Sequence, residues 1–475
     1  MSRKKQKNKQ VARIQRNRRG RGGLPFDNAP PPINAIEQVN LNAAGIDVGA
    51  TVHFVAVPEG RDSQSDVRSF GAFTADLEAL ADWLIGCNIT TVAMESTGVY
   101  WIPLYELLES RGFHVLLVEP GQIKKFRRKT DVLDCQWIQT LHTFGLLTGS
   151  FRPADAIVVL RSYMRQRDML IKCAAQHIQH MQKALEQMNL KLTEVISDIT
   201  GVTGMAIIGA ILAGERDPEK LAKLRHERCK NSEQTILLAL QGNWRDEHLF
   251  ALKQAVELYR CYHQKLHEVD TQIEDYMQTF ADQSNGRSLS KDRRNRKTKK
   301  NNEPRFDIRQ LLFRMTGQDL TAIHGIAAHS ALQFIAETGT DMSAWPTDKH
   351  FVSWLCLCPE ARKSGGKPQK KRKSKTQPSN NRAAKVLRIC AQSLLRSDCS
   401  LGAFGRRIRA RDGAPSAVTA VARKLAIIIY HMLKEGRPYV DRGAQHYEAQ
   451  YKDHAVRNLR KRAEKLGYEL HATGA

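Results

Sequence analysis

Short strand-like runs alternate with amphipathic helical segments up to about residue 150, and from residue 154 onward the strand signal is gone. Period-two alternation buries one face of a strand and 3.6-residue spacing buries one face of a helix, so the change calls for two kinds of core in one chain. At 475 residues the chain is in any case too long for a single ordinary core. In the first region the pattern predicts strands at 44–50, 52–58, 67–73, 90–94 and 114–118, with helices near 75–86, 98–110 and 131–147. Three antiparallel strands followed by β-α-β alternation describe a mixed sheet flanked by helices, the order of the ribonuclease H-like fold.

The remainder reads as all-α. In the segment LRSYMRQRDMLIKCAAQHIQHMQKALEQMNLKL, apolar residues at Tyr163, Leu170, Ala174, Ile178, Met181, Leu185 and Met188 make a near-heptad stripe, which calls for a helix–helix interface within or between subunits. A second long helix is expected at 246–280, a polar and basic flexible linker at 283–306, and more helices over 307–440, broken by a Gly/Lys/Ser-rich loop at 362–380. The expected organisation is a disordered basic arm at 1–40, a catalytic α/β domain at 41–152, a helical coiled-coil region at 153–282, the linker, a helical domain at 307–440 and a charged helix or tail at 441–475.

A formal net charge of +25 requires a polyanionic partner, and nucleic acid suits it better than a membrane surface. No uninterrupted run of about 18 apolar residues occurs, and the start MSRKKQKNKQ lacks the apolar stretch of a signal peptide, so the cytosol is the expected compartment and no membrane partner is expected. The nine scattered cysteines read as reduced thiols.

Against that cationic background one carboxylate stands out. Asp47, in LNAAGIDVGATVHFVAVPEG, lies inside a strand, where an acid is disfavoured and costly to bury unpaired. Glu95, in TTVAMESTGVYW, ends another strand, the place from which acids of α/β sites project into a crevice. Asp131 and Asp134, in RRKTDVLDCQWIQTLH, open a helix three residues apart and so share one face. Singly, each has an ordinary explanation: a turn cap for Asp47, complementation of the helix dipole for the pair. In a ribonuclease H-like sheet, however, the first strand, the fourth strand and the following helix meet at one edge. Four acids gathered there would repel one another unless divalent cations answered them, and Mg2+, a hard cation that keeps part of its coordination open for phosphate oxygens, is the expected cofactor.

GIDVGATVHFVAV, MESTGVYW and KTDVLDCQW, followed by SDITGVTG and AGERDPEKLAKL, resemble the DEDD transposases of the insertion-sequence one-hundred-and-ten family, the bridge-RNA-guided recombinases, over about residues 42 to 436. The resemblance implies a RuvC-like domain with Asp47, Glu95, Asp131 and Asp134 as acidic tetrad, a coiled-coil insertion making dimer contacts, and a C-terminal transposase domain supplying a serine nucleophile. It also implies DNA as donor and target, a structured noncoding guide RNA, a dimer that becomes a tetramer in the synaptic complex, and a cytoplasmic, nucleoid-associated protein. In LCLCPEARKSGGKPQKKRKSK the residue in the family's setting, before a glycine in a basic loop, is Ser364. Ser353 and Ser374 flank it, and neither precedes glycine. A free hydroxyl is a poor nucleophile and needs a base or metal beside it. The chain departs from the family at Ala50-Thr51, where a lysine is common, and at Cys135, where alanine is common.

Between Glu360 and Asp398 there is no carboxylate, and Lys363, Lys367, Lys370, Lys371, Arg372, Lys373 and Lys375 make a phosphate-binding stretch whose affinity should fall with salt. Upstream, LTAIHGIAAHSALQFIAETG resembles a helix-hairpin-helix turn at Ile323–Ile326. No recognition helix or zinc-finger spacing is present, which is consistent with readout by a paired guide strand. The rival readings are a metal-dependent junction-cleaving nuclease that uses water in place of serine, a sugar-kinase-like ATPase that would need a second Asp-Gly-Gly loop not found here, and a nucleic-acid-coating protein without catalysis.

Overall fold

The computed structural model describes residues 37–123, 130–289, 302–359 and 379–471, together with the backbone of Lys363–Ser364, Lys367–Pro368 and Thr376. The chain divides into two compact units between Arg152 and Pro153.

In the first unit β1 (Ala43–Val48), β2 (Val52–Ala56), β3 (Val67–Gly71), β4 (Thr91–Glu95) and β5 (His114–Val118) form one sheet in the order β3-β2-β1-β4-β5. The hairpins β1–β2 and β2–β3 are antiparallel, whereas β1–β4 and β4–β5 are parallel. Parallel strands cannot be joined by a tight turn, so α1 (Thr74–Gly86) and α2 (Trp101–Ser110) make the crossovers. Both helices cover one face, where Ile46, Val48, Val92 and Met94 meet Leu80, Leu84, Leu104 and Leu108 in a dry core. A short α3 (Pro120–Ile123) follows β5, and α4 (Asp131–Thr143) covers the opposite face. The mixed ribonuclease H-like architecture read from the sequence is the one observed.

What seats α4 is the absence of a side chain at Gly45. A Cβ there would lie 2.5 Å from the Cys135 carbonyl oxygen and 2.7 Å from the Gln139 Cα, and closer still to the Gln139 amide nitrogen. Helix backbone therefore rests directly on strand backbone. The far end of α4 is pinned by His142, whose Nε2 lies 2.9 Å from the Thr91 hydroxyl on β4 and whose carbonyl accepts from Asn40 Nδ2 at 2.7 Å. Burial drives the His142 pKa down to about 4. Of the expected basic arm, residues 1–36 lie outside the described residues, while the amides of Val39 and Asn40 both donate to the Thr143 carbonyl.

The second unit is helical. Its spine is a packed pair of long helices, α5 (Asp155–Gln187) and α10 (Asp246–Gln278). Between them in sequence run α6 (Leu192–Val195), α7 (Val202–Leu212), α8 (Pro218–Ala222) and α9 (Glu233–Ala239). The lower half of the apolar stripe, Met181, Leu185 and Met188, is buried with Ile207, Ile211, Leu221, Ile236 and Leu252 of these same segments. This part of the stripe is thus covered within one chain. Midway along the pair, Arg167 Nε donates to Asp270 Oδ1 at 2.5 Å and Nη2 to the Asn302 carbonyl at 2.8 Å, with Arg167 only 1% exposed. The segment expected as a flexible linker is consequently tied down at its described ends: Asn302 by Arg167, Phe306 by burial, and Gln283 by a 2.6 Å bond from its amide to the Arg314 carbonyl.

The rest of the unit comprises α11 (Ile308–Thr316), a 3-10 turn at Leu320–Ala322, α12 (Ala328–Thr338), α13 (Asp348–Trp354), the short hairpin β6 (Lys363–Ser364) and β7 (Lys367–Pro368), and α14 (Arg382–Leu394), α15 (Ser400–Asp412), α16 (Ala414–Glu435) and α17 (Gly443–Glu464). The Ile323–Ile326 turn is present, with an Ile326 amide to Ile323 carbonyl bond of 3.2 Å, but a three-residue 3-10 turn precedes it in place of a full helix. By length and composition α16 is apolar enough to cross a bilayer, which is weak evidence; in the fold it is a central helix with Ala417, Val421, Ala422, Leu425, Ala426 and Ile429 buried.

Two outcomes follow from how α4 is held. Gly45→Ala should destabilise the chain by about 1–3 kcal/mol through overpacking, read as a lower unfolding midpoint in denaturant. Because the folded pKa of His142 lies near 4, below its ordinary 6.5, the unfolded chain binds a proton that the folded chain rejects between those values. The His142 contribution is therefore complete above pH 6.5 and lost as pH falls toward 4, by up to about 3 kcal/mol. Amide exchange in Thr91–Glu95 should accelerate over that window, and in His142→Asn the acceleration should be largely absent.

Candidate active site

The strand register brings two acids to neighbouring positions. Ile46 pairs with Met94 in the parallel β1–β4 ladder, so Asp47 and Glu95 follow one step later at the strands' carboxyl-terminal ends. Both lie on the face opposite the α1–α2 core, because Asp47 alternates with Gly45, against which α4 rests, and Glu95 with Ala93, which packs on Ile138 of α4. They are half-buried, and the Thr97 hydroxyl donates to Glu95 Oε1 at 2.8 Å.

The third element is the first turn of α4. Thr130 caps it, its hydroxyl oxygen accepting from the Leu133 amide at 3.3 Å, and the capped end points toward the strand ends. Asp131 is exposed and Asp134 half-buried. Cys135 reports the geometry from inside: burial first, then the charge of Asp47, and more weakly that of Asp134, push its thiol up to about 12. One buried sulfur thus feels acids from two elements far apart in sequence, and it stays protonated, which makes it no nucleophile.

Asp47 and Glu95 therefore stand at neighbouring strand ends on one edge of the sheet, and the first turn of α4, with exposed Asp131 and half-buried Asp134, follows the cap at Thr130. Among the described residues, no three His, Cys, Asp or Glu side chains are drawn closely enough together to share a metal ion. The donors are hard oxygens at an open, half-solvated edge, a setting that suits a cation which keeps water in its shell, and their closure around one would need side-chain movement.

In the second unit Ser364 lies on β6, paired across the hairpin with Lys367, and Lys363 pairs with Pro368. An isolated bridge between Pro359 and Thr376 closes the base of this basic loop. Lys370, Lys371, Arg372, Lys373 and Lys375 lie outside the described residues. Residues that sequence reasoning did not single out for the site are Gly45 and Thr97. A glycine in the middle of an otherwise apolar strand was the available signal for the first, since it marks a close approach of backbone.

A family model for DEDD transposases of the IS110 family matches residues 44–190, and one described as the transposase IS116/IS110/IS902 family matches residues 317–404. No curated protein matches the chain. The first match spans all four acids; the second spans Ser364 and its loop. A DEDD-type family implies the use of a divalent metal ion. The two models match in order, the first running through α5 and the second lying beyond α10, and together they support an IS110-family transposase, a DNA-transposing enzyme.

Proposed function

We propose that the chain cleaves and exchanges DNA strands through a covalent phosphoserine intermediate, with Asp47, Glu95, Asp131 and Asp134 as the acidic set and Ser364 as the nucleophile. The observation that supports this reading is that Asp47 and Glu95 follow the paired Ile46 and Met94 at the ends of neighbouring strands, with Cys135 in the first turns of α4 near enough to Asp47 to feel its charge.

These four carboxylates would hold the divalent cation, with Mg2+ the best match to oxygen donors and a phosphate-bearing substrate. When bound, the cation supplies charge stabilisation at the phosphodiester under attack. The chain's own part is positional. α4 presents Asp131 and Asp134 from a capped first turn, and Thr97 restrains Glu95. In the reaction the Ser364 oxygen attacks phosphorus and gives up its proton, the bond from phosphorus to the departing strand's oxygen breaks, and that oxygen leaves as a hydroxyl. Attack by a hydroxyl of the incoming strand reverses the step, so the phosphodiester is conserved without hydrolysis. The Lys and Arg residues from Lys363 to Lys375 would grip DNA or RNA phosphates around the serine.

Sequence readout is assigned to a structured noncoding guide RNA pairing with donor and target DNA, which fits the lack of a recognition helix in the sequence. Self-association into a dimer, and a tetramer in the synaptic complex, completes the proposal.

In Mg2+, Asp47→Asn and Asp134→Asn should each lower strand cleavage by at least about 100-fold with DNA binding retained, and Ser364→Ala should abolish the protein–DNA adduct trapped by denaturation. Persistent cleavage with no adduct in the unaltered protein would establish the water-using nuclease instead. Digesting the preparation fully with ribonuclease should stop strand exchange at specific sites, and exchange that continues unchanged would remove the guide from the scheme.

A further inference from the structure

Away from the acids and the serine loop, a cavity of about 420 Å³ opens between α15, α16 and α17. Its composition is unusual for a surface cleft. Three aromatic rings, Phe404, Tyr447 and Tyr451, line it together with Arg407 and Lys424, and no carboxylate does. The Arg407 guanidinium carbon sits 3.9 Å from the Tyr451 ring centre and 5.3 Å from that of Tyr447, while Lys424 Nζ lies 6.0 Å from the Phe404 ring centre. Neither cation forms an ion pair among the described residues. The Tyr447 hydroxyl is buried in the wall with no hydrogen-bond partner among the described residues, a costly state unless a visiting polar group answers it. Tyr451, in contrast, is 45% exposed, so the stack of ring and guanidinium can be reached from solvent.

Planar, sequence-tolerant surfaces beside unneutralised cations are what an unstacked nucleotide needs: the base stacks on an aromatic ring or a guanidinium, and the phosphate meets a free charge. A duplex cannot use such a cavity, because its bases are already stacked on one another. A docking peptide has less to gain, since two unpaired cations would have to be buried under it. We propose that this cavity receives one nucleotide of a single-stranded nucleic acid, the base against Tyr451 and Arg407 and its edge within reach of the Tyr447 hydroxyl, with Lys424 meeting the phosphate. The inference rests on the family's binding of nucleic acid and is independent of the serine and of the acids.

The test compares the full chain with Tyr451→Ala, Tyr451→Phe and Phe404→Leu in fluorescence-anisotropy titrations of labelled oligothymidylate, oligouridylate and a duplex DNA. Tyr451→Ala should weaken single-strand binding roughly 5- to 100-fold, Tyr451→Phe should restore it to within about twofold, and duplex binding should hold. A larger effect on the deoxy strand would assign the cavity to displaced DNA, and on the ribo strand to RNA. Because Tyr451 is exposed, its variants should melt with the unaltered chain, which keeps the comparison valid if Phe404→Leu unfolds. Equal losses for single strand and duplex would mean a general charge effect, and unchanged single-strand binding in Tyr451→Ala, with or without a shift in sedimentation, would mean that the cavity is idle or takes protein. Either result overturns the proposal. The titrations read binding alone, whereas the strand-exchange reading is tested by the trapped protein–DNA adduct, so failure here and failure of that reading are separable.

Discussion

The N-terminal unit depends on one close approach, helix backbone against strand backbone at Gly45. Any side chain at that position would hold α4 away from the sheet, since the built Cβ falls within 2.7 Å of Gln139 Cα. Close seating does two things. It closes the second face of the sheet with Ile138 on Ala93 and Val118, and it sets the first turn of α4 at the height of the strand ends. The place of the α4 first turn beside the strand ends is a consequence of how near a helix can lie to a strand.

Electrostatics then gives that edge its character: the Cys135 thiol is raised by burial and by the charge of Asp47. The chain as a whole carries a net charge of +25, which attracts a polyanion such as the DNA that a transposase acts on.

The helical unit has its own organising interaction. Arg167 and Asp270 pair inside the α5–α10 interface, and the half-buried His329 nearby is pushed down to about 4, by burial first and by the Arg167 charge second. Replacing one member of such a pair leaves a buried charge unanswered, so the interaction fixes which faces of the two helices can meet. Arg161 extends the tie to α12, donating to the carbonyls of Ala336 and Glu337 at 3.1 and 2.8 Å. Long helices of mixed polarity are thereby joined by a few buried polar bonds in addition to the apolar packing of the stripe.

Strand positions, the crossovers and the long helices were legible in the sequence because each depends on local periodicity: β2 at Val52–Ala56 and α10 at Asp246–Gln278 fall within the stretches their patterns marked. The four acids were legible as candidates because Asp47 interrupts an apolar strand and Glu95 ends one. What local pattern could not contain was their distance. That depends on the parallel register of Ile46 with Met94 and on the bare backbone at Gly45, both of which are contacts between residues far apart in the chain. In the same way the stripe on α5 announced a partner without naming it, and only the tertiary structure, by folding Ile207, Ile236 and Leu252 onto Met181 and Leu185, decided that the partner of that stretch is the chain itself. Periodicity is written in neighbouring residues; register and depth of packing are decided only when distant segments compete for the same surface.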